Sequence, residues 1–433
     1  MTFYLKGAKI PHYKNTSGMS AVKLPDVKKV VIPTAMHIGA PAKPIVKKGD
    51  TVKVGTLIAE QNGFVSSPVY ASISGTVTAV EDILLSNGKT APAITIESDG
   101  KMEKDENITP PTVRKKQDLL DALKQSGIVG LGGAGFPTYV KFATDKKIEY
   151  LVVNGAECEP FITSDSVTMV DSAKDILKAI DVLTKRFKID KVIIGIEKNK
   201  PEAIIKMREI AEKNDKISVK VLPSLYPQGG EKVLVYHTTG RVIPMGKLPI
   251  DVGCVVINST TLATIGKYIK TGMPLVEKCI TVDGGAVEKP QNVIAPIGTP
   301  VSELLNFCGM KSEPKKILYG GPMMGIAVPD IDAPVLKNTN AILALNEQQA
   351  EEPKTTACIK CGSCAHHCPF GIDPTRIAEA KKQQDIELLK KVGTELCMEC
   401  GCCSFVCPAK RPIVQNNRLA KVMLREAAAK EAK

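Results

Sequence analysis

The chain has 433 residues, a mass of 46.4 kDa and a formal net charge of +12, and its 43% apolar and 24% charged residues are typical of a folded protein of several domains. The N-terminal sequence contains no apolar run of signal-peptide length, and no segment approaches the roughly 18 apolar residues of a spanning helix, so we expect neither a leader nor a transmembrane segment. The basic excess favours an acidic partner or a membrane surface, whereas dispersed lysines and few aromatic side chains argue against nucleic acid.

Residues 28–98 alternate short β-branched runs with Gly, Pro and Asn turns, which predicts a small all-β module spanning 1–105. The segments PIVKKGDTVKVGTLIAE and PVYASISGTVTAV resemble the barrel-sandwich fold of biotinyl and lipoyl carrier domains. Those carriers present a modifiable lysine at a hairpin tip, where this chain has Pro68–Ser72 and no lysine. We therefore expect a structural or docking module rather than a swinging-arm carrier.

A charged linker leads into residues 113–268, where helical and strand patterns alternate. This alternation predicts an α/β domain with a parallel sheet. The predicted elements are a helix at 113–126, the strand YLVVNG, a helix at 171–187, the strand KVIIGIE, a helix at 201–214 and the strand ISVKVLP. Residues 269–345 look like a small β-grasp module of the SLBB type, and a polar linker at 346–356 leads to a cysteine-rich module at 352–415. For the tail, 416–433, we predict an amphipathic or solvated helix.

Nine of the 13 cysteines lie between Cys358 and Cys407, in two runs that each fit the ferredoxin spacing C-x2-C-x2-C-x3-C-P. In this spacing three thiolates bind one cluster and the fourth binds the other, so we expect two crossed [4Fe-4S] clusters. The expected ligands are Cys358, Cys361, Cys364 and Cys407 for the first cluster, and Cys368, Cys397, Cys400 and Cys403 for the second. Cys402 does not fit the spacing and is expected to be a bystander. Zinc sites also use CxxC pairs, but they would not explain the third cysteine and the proline in both runs.

The remaining cysteines give no sign of catalysis. Cys254, Cys279 and Cys308 lie in apolar surroundings and are expected to be small core residues. Cys158 lies between two glutamates, which would raise the pKa of its thiol and disfavour a nucleophile. We expect no catalytic acid–base pair or nucleophile.

The segment from Gly130 to Pro137 contains a literal G-x-G-x-x-G, formed with Gly132 and Gly135, and Glu157 follows about 20 residues later, as in a Rossmann fingerprint. A helix rather than a strand precedes the glycines, however, so a plain structural turn stays open as an alternative. Glycines allow a flat or anionic ligand to approach the backbone closely, and Lys141, one turn later, is placed to pair with a phosphate.

GLGGAGFPTYVK followed by YLVVNGAECEP resembles the flavin and NADH site of the NADH-binding subunit of respiratory complex I. The run from YPQGGEK to TTLATI and the order of modules resemble more closely the C-subunit family of the Rnf ion-translocating ferredoxin:NAD oxidoreductase, over about residues 3–412. The resemblance implies a multidomain α/β protein with a barrel-sandwich module, a flavin/NADH domain, an SLBB module and a helical dicluster ferredoxin domain. It implies an FMN and NAD(H) site formed by Gly130, Gly132, Gly133, Gly135, Phe136, Lys141, Asn154, Glu157, Glu159, Tyr226, Gly229, Glu231, Asn258 and Thr261.

Within that set, Phe136 and Glu159 are implied to lie on the NADH side. Two positions depart from the complex I pattern, since acidic residues stand there in place of Ala156 and Gly230. The resemblance implies electron transfer between NAD(H), non-covalent FMN and two [4Fe-4S] clusters, coupled to Na+ or H+ translocation by a membrane complex.

The implied partners are integral membrane and iron–sulfur subunits of that complex, with ferredoxin met directly or through another subunit. The implied location is peripheral, on the cytoplasmic face of the cell membrane. Two alternatives stay open. One is a soluble flavin/iron–sulfur cobalamin reductase, in which the glycine loop precedes the barrel module. The other is a non-enzymatic zinc-binding scaffold.

Overall fold

The N-terminal module is an antiparallel barrel sandwich in the computed structural model, which describes residues 5–431. Residues 1–4 of the predicted module and 432–433 of the predicted tail lie outside the described residues. Along the strands of the N-terminal module, successive side chains point alternately inward and outward, and the inward-facing Val30, Ile32, Ile94 and Ile96 are fully buried. The strands before residue 105 are β1 (Val22–Lys23), β2 (Lys29–Pro33), β3 (Lys43–Pro44), β4 (Thr51–Val52), β5 (Leu57–Glu60), β6 (Val69–Tyr70), β7 (Gly75–Leu84) and β8 (Thr90–Ser98). Two sheets face each other, in the orders β2-β8-β7-β4 and β3-β5-β6.

The hairpin tip at 68–72, where carrier domains bear a lysine, is packed against the rest of the chain. The buried Lys337 Nζ donates to Pro68 O at 2.6 Å and to Gly127 O at 2.8 Å. The hydroxyl of Tyr70 donates to the carbonyl of Gln125. These bonds join the barrel module to two other modules, as expected of a structural or docking module.

The central domain is a four-stranded parallel sheet, in the order β11-β10-β9-β12, flanked by helices. Its strands are nearly continuous apolar runs because both faces are covered. Its elements are α1 (Lys116–Gln125), α2 (Thr138–Phe142), β9 (Tyr150–Gly155), α3 (Ser164–Asp171), α4 (Ala173–Phe187), β10 (Lys191–Glu197), α5 (Pro201–Ala211), β11 (Ile217–Leu222), α6 (Glu231–Thr239), a 3-10 turn (Pro249–Val252), β12 (Cys254–Asn258) and α7 (Ser259–Thr271).

The prediction of one helix at 171–187 missed a separate preceding helix, α3. The sequence of α3 is polar, but its first amides find acceptors: the backbone N–H groups of Asp165 and Ser166 donate to the Glu157 carboxylate at 2.6 and 3.3 Å. The carboxylate of Glu157, eight residues before Asp165, therefore supplies the cap for the first turn of α3.

Chain order places a topological switch in this sheet. From β9 the chain proceeds outward to β10 and β11, and then returns to form β12 on the other side of β9. Ligands of open α/β sheets bind where the strand order reverses, beyond the carboxyl ends of the strands. Asn154 and Asn258 lie opposite each other in register at these two strand ends.

The third module is a six-stranded sheet in the order β1-β14-β13-β17-β15-β16. Its elements are β13 (Glu277–Asp283), β14 (Gln291–Pro296), α8 (Val301–Cys308), β15 (Lys316–Tyr319), β16 (Ile326–Val328) and β17 (Ala341–Leu345). The edge strand β1 comes from the N-terminal segment and pairs in parallel with β14. The N-terminal segment therefore crosses from the barrel module to this sheet.

The C-terminal module is helical. Its elements are α9 (Glu347–Ala350), α10 (Ser363–His366), α11 (Pro374–Gln383), α12 (Ile386–Lys391), a 3-10 turn (Thr394–Leu396), α13 (Cys402–Phe405) and α14 (Ile413–Glu431). The helix α14 begins before the predicted tail and buries Asn417, Ala420 and Leu424 against this module. Across residues 5–431, no helix is long and apolar enough to cross a membrane.

Candidate functional site

The glycine loop lies beside the switch point and leaves no space for a side chain at Gly132. A Cβ atom there would lie 2.5 Å from Asn258 Nδ2 and 2.9 Å from Asn258 Cγ. The loop is closed by Gly130 N–H donating to Phe136 O at 2.8 Å, and it is tied to α7 by Leu131 N–H donating to Thr261 Oγ1 at 2.9 Å. The loop backbone is thus held directly over the end of β12.

The side chain of Asn258 is fixed from both sides. Its Oδ1 accepts from Thr261 N at 3.1 Å, which caps α7, and its Nδ2 donates to Asp165 Oδ2 at 2.7 Å. Thr260 Oγ1 donates to the other carboxylate oxygen of Asp165 at 2.6 Å. Asp165 was not predicted as a site residue, because its role depends on contacts between distant segments.

A second glycine loop faces the end of β9. Asn154 Nδ2 donates to Gly229 O at 2.9 Å, and Gly229 N donates to Cys158 Sγ at 3.3 Å. A Cβ atom on Gly229 would lie 3.3 Å from that sulfur. Burial raises the pKa of the Cys158 thiol to about 12, so the sulfur is neutral and acts here as a hydrogen-bond acceptor.

The turn after β9 is stabilised by a lysine from the N-terminal segment. Lys14 Nζ donates to Glu157 O at 3.0 Å, to Glu159 O at 2.8 Å and to the carbonyl of Ile162. Glu157 adopts a left-handed backbone with φ +44°, which this cation helps to hold. Burial raises the pKa of the Glu157 carboxyl and lowers that of the Lys14 ammonium. Nothing in the local sequence around Lys14 indicates this contact.

Lys141 and Glu231 meet at the exposed side of the same site. Lys141 Nζ lies 3.3 Å from Glu231 Oε1 and donates to Val256 O at 2.9 Å. The lysine therefore projects from α2 toward the end of β12 and toward the first residue of α6. Phe136 is half-buried in the glycine loop.

The two glycine loops, around Gly132 and Gly229, and the strand ends at Asn154 and Asn258 together form a cradle. Glu159 bonds instead to the third module. Its carboxylate accepts from Met323 N at 3.0 Å and from Met324 N at 2.9 Å, and a Cβ atom on Gly321 would lie 2.2 Å from Glu159 Oε2. Burial raises the pKa of this carboxyl to about 7. In the structure Glu159 thus joins the end of β9 to the third module.

The clustered cysteines line two cavities in the crossed arrangement. The outer cysteine set (Cys358, Cys361, Cys364 and Cys407) lines a cavity of about 170 Å³, and the inner cysteine set (Cys368, Cys397, Cys400 and Cys403) lines a smaller one of about 20 Å³. The fourth cysteine of each run lies with the other run. Among residues 5–431, no three His, Cys, Asp or Glu side chains converge closely enough to hold a single metal ion. Cys402 also borders the smaller cavity, and its Sγ lies 3.6 Å from Tyr226 O.

The inner cysteine set contacts the loop that leads to the cradle. A Cβ atom on Gly230 would lie 2.3 Å from Met398 Cε, and the hydroxyl of Tyr226 donates to Cys400 O at 2.7 Å. In the outer set, by contrast, Cys358 and Cys361 are exposed. The inner cysteine set is therefore adjacent to the cradle, whereas two thiols of the outer set are open to solvent.

Four family models match the modules in order. They are the RnfC barrel-sandwich hybrid domain at residues 2–101, the Nuo51 FMN-binding domain at 123–267, the SLBB domain at 279–327 and a 4Fe-4S dicluster domain at 352–408. The chain is 42% identical over 426 residues to the C subunit of the Na+-translocating ferredoxin:NAD+ oxidoreductase complex of Acetobacterium woodii, covering 96% of each protein. This chain belongs to the C-subunit family of the Rnf complex. The C subunit of the proton-translocating complex of Clostridium ljungdahlii is 41% identical over 374 residues, covering 84% of this chain and 81% of that protein.

Membership of the Rnf C-subunit family confirms the predicted architecture and the expected cofactors, FMN and two [4Fe-4S] clusters. The glycine cradle, in which a Cβ atom would fill the space at Gly132, fits a flat ring, and the four thiols that line each cavity are the ligand set that a [4Fe-4S] cluster needs. An NAD+-reducing [NiFe]-hydrogenase in its air-oxidised state shares the fold, with a TM-score of 0.52 at 18% identity over 72% of this chain and 62% of that chain.

Proposed function

We propose that this chain exchanges electrons between NAD(H) and an iron–sulfur partner as the FMN-containing subunit of a membrane-bound ferredoxin:NAD+ oxidoreductase that translocates Na+ or H+. The observation that carries this proposal is the direct contact between the flavin cradle and the inner cysteine set, through Gly230 and Met398 and through Tyr226 and Cys400. Electron transfer requires cofactors held close together in fixed orientation, and this contact supplies that arrangement.

In this proposal the flavin is held by the two glycine loops and the strand ends between them. The backbone at Gly132 and Gly229 allows close approach, Asn154 and Asn258 present oriented amides, and Lys141 is placed for the phosphate. The chemistry that FMN supplies when bound is the exchange between two-electron transfer with NAD(H) and one-electron transfer with clusters. The residues of this chain orient the ring and exclude water; none is required as an acid or a base.

We propose that the outer cysteine set faces the partner. The loop that carries Cys358 and Cys361 is exposed, Ile359 has 67% of its surface in water, and Lys360 and Arg411 line the same cavity. An apolar contact ringed by basic side chains suits an acidic ferredoxin, or an acidic iron–sulfur subunit that passes its electrons on. Integral membrane subunits of the same complex would hold the chain at the cytoplasmic face of the membrane.

The cobalamin-reductase alternative is disfavoured because here the barrel module precedes the glycine loop and matches the Rnf barrel model. The zinc-scaffold alternative is disfavoured by the dicluster match.

The test is anaerobic purification of the chain with reconstitution of FMN, iron and sulfide. We expect releasable flavin, broad visible absorbance from two clusters, and bleaching of both chromophores by NADH. Cys364→Ala, in the outer set, should retain NADH–flavin reduction and lose electron transfer to a ferredoxin. A chromophore-free, zinc-containing protein would contradict the proposal. Co-purification from membranes in mild detergent tests the partners, and recovery without any integral membrane protein would contradict the assigned location.

A further inference from the structure

Tyr226 lies where the flavin-side loop meets the inner cysteine set. Its side chain is 2% exposed, and its hydroxyl donates to the backbone carbonyl of Cys400 at 2.7 Å. The loop that carries Cys400 also carries Cys397 and Cys403, which are three of the four inner thiols. A single hydroxyl therefore contacts the segment that would hold most of one cluster.

The backbone of Tyr226 cannot easily shift to compensate for a change in this bond. Its N–H donates to Ala8 O at 3.0 Å, and its carbonyl accepts from Ala8 N at 2.8 Å. A Cβ atom on Gly7 would lie 2.3 Å from the same carbonyl, so the N-terminal segment is pressed against it. The hydroxyl is thus held at a fixed position relative to the cysteine loop.

We propose that Tyr226 is a positioning residue for the inner cluster, whose reduction potential it raises by holding the Cys400 carbonyl. The inference rests on the proposed function in one respect: the inner cysteine set must bind a cluster. Potentials of iron–sulfur clusters depend on local hydrogen bonds and dipoles. A hydroxyl proton at the carbonyl oxygen offsets the negative end of that dipole, which makes adding an electron to the adjacent cluster easier.

The nearby Glu159 acts in the opposite direction. Its Oε1 lies 3.5 Å from the Tyr226 hydroxyl, and its position is set by the amides of Met323 and Met324. A carboxylate there disfavours additional negative charge on the cluster. Above pH 7, where the Glu159 carboxyl is ionised, Glu159→Gln removes this charge, so the inner-cluster potential measured there should rise.

The experiment is a redox titration of the reconstituted full chain, followed by electron paramagnetic resonance. Tyr226→Phe should lower the equilibrium constant for inner-cluster reduction about tenfold, roughly the effect of one buried hydrogen bond, which corresponds to about 59 mV for a one-electron couple. The outer cluster should keep its potential and serves as an internal reference. Tyr70→Phe is the matched control because its hydroxyl also donates to a backbone carbonyl, that of Gln125, between the barrel module and α1.

An unchanged inner-cluster potential in Tyr226→Phe, or an equal shift in Tyr70→Phe, would overturn the inference. Loss of the inner cluster alone, with flavin and the outer cluster retained, would support it, since only the Cys400 loop then depends on the hydroxyl. Loss of every cofactor in Tyr226→Phe would also overturn it, because the effect of the hydroxyl would then not be confined to the inner cluster. A wild-type chain that takes up no cluster would instead contradict the proposed function.

Discussion

Replacing Gly132 with alanine should displace Asn258 and weaken FMN binding. The new Cβ would lie 2.5 Å from Asn258 Nδ2, far inside van der Waals contact, so the amide has to move. Moving it breaks the cap on Thr261 N, which is worth about 1 kcal/mol, and the hydrogen bond to the Asp165 carboxylate, which is worth about 1.5–3 kcal/mol. Because flavin binding would have to restore the amide, we expect the FMN affinity to fall by about 60-fold or more, since roughly 1.4 kcal/mol is tenfold.

The assay is titration of the flavin-free chain with FMN, followed by quenching of flavin fluorescence. Gly130→Ala is the matched control, because the nearest atom to its Cβ would be Phe136 N at 3.6 Å, an ordinary contact. Gly130→Ala should keep the wild-type urea midpoint, so any loss of FMN affinity in it reports contact with the flavin itself. Wild-type FMN affinity in Gly132→Ala would refute the reasoning, since the cradle would then not depend on Asn258.

Two further predictions concern the cysteines and a buried lysine. Cys402→Ala should keep the full iron and sulfide content, whereas Cys403→Ala should lose about half; equal losses would show that Cys402 is a ligand. Burial lowers the pKa of Lys337 from 10.5 to about 7. Between pH 7 and about 10.5 the unfolded chain therefore binds more protons than the folded chain, and the free energy of unfolding rises with pH by at most about 1.4 kcal/mol per pH unit. Lys337→Met should lose this gain, so its urea midpoint should fall further behind wild type near pH 9 than near pH 7. The control is Lys316→Met, because the side chain of Lys316 is 36% exposed, and its urea midpoint should differ from that of wild type by the same amount at pH 7 and pH 9. If the difference for Lys337→Met is also the same at the two pH values, Lys337 is not a buried neutral amine.

Features of the molecule that are encoded locally could be predicted from the sequence. Cysteine spacing is a short-range pattern, and the strand and helix periods of the central domain are likewise local, so the four modules were predicted and are confirmed. The site partners that were missed leave no periodic or motif signal in the sequence. Lys14 contacts carbonyls 143 to 148 positions away, and α3 is capped by a carboxylate that precedes it. The Lys14 contacts depend on how the modules pack, and no window of sequence contains both partners, whereas the cap on α3 depends on how the turn after β9 folds back on the helix that follows it.

The departure at Gly230 has a structural reason that its sequence context does not reveal. The complex I resemblance places an acidic residue at this position, yet in this chain the thioether of Met398 occupies the space, with Cε 2.3 Å and Sδ 3.1 Å from where a Cβ would lie. Met398 belongs to the loop that carries the inner cysteine set, so the absence of a side chain at Gly230 lets that loop approach the flavin cradle. An acidic side chain here would both push the loop away and place a negative charge beside it, and each effect would oppose electron transfer to the inner set. Gly230 and Met398 therefore act as a pair: because Gly230 has no side chain, the C-terminal module can pack against the cradle through Met398.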